Sequence, residues 1–174
     1  MGLYDQSDAN LNQGELPLLD YWRARFDATM LETAIATRQP EGRIGLELAS
    51  AIRLLDSLLT RYPRHQELIA WRARAAAVSK QIDQNATRSA AFTGRCLWGE
   101  HSYREAWVNL ECARVARAED DAALARDCER TARQKLEYLH RRIAANDNIE
   151  GWPPEALAWI RERYAGFAEG ARNA

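Results

Sequence analysis

The chain has 174 residues, and its 24 basic and 25 acidic side chains leave a formal charge of −1. With 47% hydrophobic and 28% charged residues it has the composition of a folded domain, not of a disordered segment. No apolar run approaches the roughly 20 residues that span a bilayer, and Met1 to Asn12 has neither the basic start nor the apolar centre of a secretory signal.

Composition and cysteine usage narrow the class further. There are 31 alanines, and only two of the 24 basic residues, Lys80 and Lys135, are lysines. Alanine and arginine both favour helix. A GC-rich genome favours the same residues, so the arginine excess by itself does not indicate nucleic-acid binding. Cys96, Cys112 and Cys128 form no CxxC pair and are odd in number, as expected of free thiols in a reducing cytoplasm. The expected location is therefore cytoplasmic, with no membrane partner.

The apolar periodicity is helical wherever it can be read, and no stretch alternates as a strand would. Residues 1–14 read as a polar tail, and 15–174 as a single all-helical domain that can subdivide near 83–90. The first helix is expected to start near Pro17, a residue suited to the first helical position, with Leu18, Trp22, Phe26 and Met30 on one face. Gln39 to Gly42 break it. The second carries Ile44, Leu48, Ala51, Leu55, Leu58 and Tyr62 at alternating spacings of three and four, and Pro63 ends it. The third follows at once with Leu68, Trp71, Ala75, Val78 and Ile82, so the two are antiparallel neighbours. After the polar stretch 83–90 a short helix is expected from Ala90 to Trp98, stopped by Gly99.

Ser102 and Glu105 have the spacing of a capping box, two side chains that satisfy free amides at a helix start. That helix runs to about Ala118. Glu119, Asp120 and Asp121 suit the start of the next, whose stripe is Ala125, Cys128, Ala132, Leu136, Leu139 and Ile143. Asn146 to Trp152 form a loop, and Pro153 and Pro154 open a last helix with Leu157, Ile160, Tyr164 and Phe167 inside. The fold is thus all-α: six or seven helices in antiparallel hairpins, arranged as a repeat-like array or an irregular bundle.

Two stretches resemble tetratricopeptide repeats, stacked helical hairpins. Ala51, Leu55, Leu58 and Pro63 hold the spacing of that family's second helix. Tyr62 to Leu68 resembles a junction between repeats, with Ala73 where the next repeat wants a small residue. Gly94, Tyr103, Glu105, Ala106, Leu110 and Ala113 form the second stretch. Ala51 and Ala106 are 55 positions apart, which departs from the family's period of about 34 residues. The resemblance implies a protein-binding scaffold and names no partner.

Catalytic constellations are scarce. Glu137 and His140 form one Glu-x-x-His, where a di-metal carboxylate bundle needs two with further glutamates. The three cysteines are each 16 positions apart and meet only if successive helices align in register; small core residues are the simpler reading. There is no Gly-x-Ser-x-Gly elbow, and Gly42 and Gly45 lack the rest of a phosphate loop. No catalytic or metal-binding residue is assigned, and no cofactor is expected.

Charge is distributed unevenly. Residues 1–60 carry five basic and nine acidic groups, 61–117 ten and five, and 118–174 nine and eleven, so only the middle third is positive. Arg61, Arg64, Arg72, Arg74 and Lys80 are concentrated around Tyr62 and Trp71. Arg61, Arg64, Trp71, Arg72 and Arg74 are the candidate binding residues, for an acidic protein surface or, alternatively, for phosphates and stacked bases. The leading expectation is a non-enzymatic scaffold that binds another protein through a helical face or groove. The alternatives are a helical subunit that contacts nucleic acid and a helical metalloenzyme. Oligomeric state is not legible.

Overall fold

A computed structural model describes residues 15–39, 41–82, 101–150 and 152–172. Among these residues the chain is all-helical, with six helices and no strand: α1 (Leu18–Ala36), α2 (Glu41–Arg61), α3 (Gln66–Ser79), α4 (His101–Ala118), α5 (Ala122–Ala144) and α6 (Pro154–Arg172). The expected tail 1–14, the polar stretch 83–90, the helix at 90–98 and the residues Gly94, Cys96 and Gly99 lie outside the described residues. The chain divides into two compact units, the first up to residue 91 and the second from residue 92.

In the first unit α2 pairs with both α1 and α3. Asp27 on α1 accepts from Ser50 on α2, and Arg72 on α3 pairs with Asp56 on α2. On α1 and α3, Tyr21 pairs with Glu67 and Glu32 with Arg74, so the numbers rise together. α1 and α3 therefore run parallel to each other and antiparallel to α2. Leu31, Leu48, Ala75 and Val78 close a shared core, with Ile35, Ile44, Ile52 and Ile82 packed around it. Full burial of each large aliphatic side chain contributes about 1.5–3 kcal/mol.

The α2 stripe is buried as its spacing requires at Leu48, Ala51, Leu55 and Leu58, with Ile44 and Tyr62 half-buried at its ends. α1 departs from its expected register. Leu18 and Met30 are only half-buried, whereas Tyr21, Ala24, Asp27, Leu31 and Ala34 are buried along with Trp22 and Phe26. At 100° per residue the Ala24–Leu31 side and the Trp22–Phe26 side lie on opposite faces. α1 is thus buried on two sides, and a single i, i+4 row cannot describe it. α1 starts near Pro17 as expected, with Pro17 at its cap and Leu18 at the first helical position.

In the second unit the six predicted stripe residues of α5, from Ala125 to Ile143, are its buried residues. Asp121 caps the helix, its carboxylate accepting from the Leu124 amide at 3.0 Å. The capping box expected at Ser102 does not form. α4 already includes His101, so Ser102 lies inside the helix and is buried, as is Glu105. On α6, Ala156 and Ile160 are buried while Leu157, Tyr164 and Phe167 are half-buried, so its inner face is rotated toward Ala156. Arg142 ties down the α5–α6 connection by donating to the Asp147 and Asn148 carbonyls and lying over Trp152, 5.0 Å from the ring centre.

Candidate functional site

Two parallel helices standing on a third leave a trough between them. In the first unit this trough is a cleft of about 360 Å³ with Ala51 and Leu55 of α2 as its floor. α1 supplies one wall through Arg25, Ala28, Thr29, Leu31 and Glu32, and α3 the other through Glu67, Trp71, Arg74 and Ala75. The floor and lower walls are apolar, and the charged groups stand higher.

Both ends of the trough are bridged. At one end the Tyr21 hydroxyl donates to Glu67 at 2.9 Å, and Arg25 donates to the same hydroxyl at 3.2 Å. Burial pushes the Tyr21 hydroxyl above its ordinary pKa, and the bond to the Glu67 carboxylate adds to the rise. At the other end Arg74 grips Glu32 with two hydrogen bonds of 2.6 and 3.1 Å. Glu67 and Arg74 are two helical turns apart, about 10 Å. The result is a closed-ended cleft, not a continuous groove.

Trp71 forms part of the wall. Its ring lies 5.7 Å from that of Tyr21, which in turn stands edge-on to Trp22 at 5.5 Å. Arg25 covers Trp22 at 5.0 Å. Trp71 remains half-exposed, with part of its indole open to the cleft.

The five candidate residues do not share one surface. Trp71 and Arg74 line the cleft. Arg72, two positions from Arg74, turns the other way and pairs with Asp56 on α2 at 2.6 Å. Arg61 lies over the Tyr62 ring and 3.9 Å from Asp20. Arg64 is exposed in the α2–α3 connection, and no ion pair joins it among the described residues. Three of the four candidate arginines, Arg61, Arg72 and Arg74, are therefore paired with acidic groups of the first third. Sequence reasoning missed Tyr21, Glu32 and Glu67, because the pairs Tyr21–Glu67 and Glu32–Arg74 span more than 40 positions and leave no local pattern; it also missed Arg25, which joins the site through its neighbour Tyr21.

Other candidates resolve into structural contacts. His140 stacks on Tyr164 at 4.3 Å. Glu137 is exposed. Among the described residues no three His, Cys, Asp or Glu side chains are grouped to hold a metal ion, and no helix is long and apolar enough to cross a membrane. Fold and cleft together define a helical-hairpin protein with an apolar, end-bridged pocket. No family model, curated protein or solved structure matches the chain.

Proposed function

We propose that the protein is a non-enzymatic interaction module whose α1–α3 cleft receives one large apolar side chain of a partner protein. The observation that supports this most is the half-exposed Trp71 over an apolar floor, in a cleft bridged at both ends. Bridged ends suit a single inserted anchor better than a helix laid lengthwise. Two arginines and two glutamates line the cleft, so selectivity comes from filling the apolar floor and not from net charge. Exposed Arg64 adds a contact for an acidic partner nearby. Tetratricopeptide-like stacking of the hairpins belongs to the same proposal.

A photo-crosslinking side chain at Thr29, in the cleft wall, tests it against one at exposed Glu137 on α5. The expected result is a protein adduct at Thr29 alone, which survives nuclease and is lost when Ala28→Trp fills the cleft. Mapping should place the adduct at a Leu, Met, Phe or Trp of the partner. Adducts common to both positions, or adducts lost on nuclease treatment, defeat the reading.

A further inference from the structure

The α4–α5 hairpin turns at Asp120, whose backbone is left-handed at φ 60°. Residues equally distant from that turn face each other across an antiparallel pair. Cys112 and Cys128 are each eight positions from it, about 12 Å along either helix. Their thiols meet: Cys128 Sγ donates to Cys112 Sγ at 3.1 Å. Both lie within the core as thiols, 0% and 2% exposed. The side chains around them are small. Ala113 and Ala116 on α4 and Ala125 and Ala132 on α5 are all buried, which lets the two backbones approach closely. The turn is held by the Asp121 cap and by an ion pair between Arg117 and Glu129.

We propose that Cys112 and Cys128 are a redox pair that closes to an intramolecular disulfide and locks the α4–α5 hairpin. The sulfurs need to approach by about 1 Å to reach bonding distance. The oxidant is a low-molecular-weight disulfide of the glutathione class. One cysteine thiolate attacks a sulfur of that disulfide and releases one thiol. The second cysteine thiolate then attacks the mixed disulfide and releases the other. The protein loses two electrons and two protons, and the small disulfide becomes two thiols. Burial makes exchange wait on local opening of the hairpin, so the pair responds to a sustained oxidising poise and not to a brief pulse. In a reducing compartment it rests as the dithiol.

The folded full-length chain, incubated with oxidised glutathione, then acid-quenched and alkylated in denaturant, tests the proposal. Peptide mapping should recover the Cys112 and Cys128 peptides joined, with neither thiol alkylated and no glutathione retained on either. The oxidised chain should melt about 5–10 °C higher than the reduced chain. The shift should be absent in Cys112→Ala and Cys128→Ala, which keep a small buried side chain and so fold. Free alkylation of both thiols after prolonged incubation overturns the proposal. So does a stalled glutathione adduct, or a bond from either residue to Cys96.

Discussion

Arg43 and Glu47 lie 2.8 Å apart on α2, each with little more than a tenth of its side chain exposed. Attraction alone drives both groups toward their charged forms, yet burial shifts both the other way. Desolvation lowers the Arg43 pKa and raises that of Glu47, to which the nearby Asp27 charge adds. Taking the ions out of water thus outweighs their pairing. Because the folded state holds the Glu47 proton more tightly than the unfolded chain, the Glu47 contribution weakens stability as pH rises from the ordinary carboxylate range to the raised value. Arg43→Met leaves a buried carboxylate beside Asp27. It should cost on the order of 3 kcal/mol at neutral pH, and the cost should shrink as the pH falls and Glu47 takes up a proton. Arg43→Met with Glu47→Leu should return the midpoint to near its original value. Chemical denaturation from pH 4 to 8 reads all three, and a pH-independent penalty for Arg43→Met argues against the desolvation account. Tyr103 gives a second titration. Burial, with the Glu155 charge second, pushes its hydroxyl up to about 12. Ultraviolet titration should show Tyr103 ionising late, as should Tyr21, and Glu155→Gln should bring down only the Tyr103 step.

Helix ends show where local chemistry and observed geometry part. α1, α4 and α5 each finish with paired bonds that fold the last turn back: Gln39 to the Ala34 carbonyl with Arg38 to Ile35, Asp121 to Ala116 with Asp120 to Arg117, and Asp147 to Arg142 with Asn146 to Ile143. This termination places Arg38, Asp120 and Asn146 at φ 53°, 60° and 51°. Glycine is usual there, and none of the three is glycine, so the helix ends are read from flanking residues such as Pro40 and not from the left-handed position itself. Arginine tolerates the left-handed region less well than asparagine does. Arg38→Gly should therefore stabilise by about 1 kcal/mol and Asn146→Gly by clearly less. Asp121→Ala should cost about 1 kcal/mol through the lost cap. Thermal melts of the three variants give the order directly, and an equal gain from both glycines removes the strain argument. The same contrast explains which elements were legible. α5 buries one face, and a single apolar stripe named all its buried residues; on α2 the stripe named Leu48, Ala51, Leu55 and Leu58 but not Gly42, Gly45 or Glu47. α1 is buried on two faces, and its pattern was misread. Ser102 has the spacing of a cap, but spacing cannot show that the helix begins before it.

At the scale of the whole molecule, composition announced an all-helical protein, but the cleft depends on pairings that cross two helices. Trp71 and Arg74 were legible as candidates because aromatic and basic residues cluster around them. Their setting was not, since Tyr21 reaches Glu67 and Glu32 reaches Arg74 only after α1 and α3 lie parallel on α2. The positive middle third likewise looked like an open surface until Arg72 and Arg74 were seen gripping Asp56 and Glu32. Leu55 joins both levels: it is 1% exposed in the α2 stripe, and it forms the floor of the cleft. Leu55→Asp sets a carboxylate at a 1% exposed position of the apolar α2 stripe, at a cost of several kcal/mol. Against a total stability of about 5–15 kcal/mol, that is enough to abolish the folded first unit at ordinary temperature. Amide hydrogen exchange should then show protection lost throughout α1, α2 and α3. Leu55→Met conserves volume and polarity, so it should keep that protection within about 1.5 kcal/mol and change only the shape of the floor. If Leu55→Asp keeps its protection in α2, Leu55 does not occupy the core of the first unit, and the cleft built on it loses its floor.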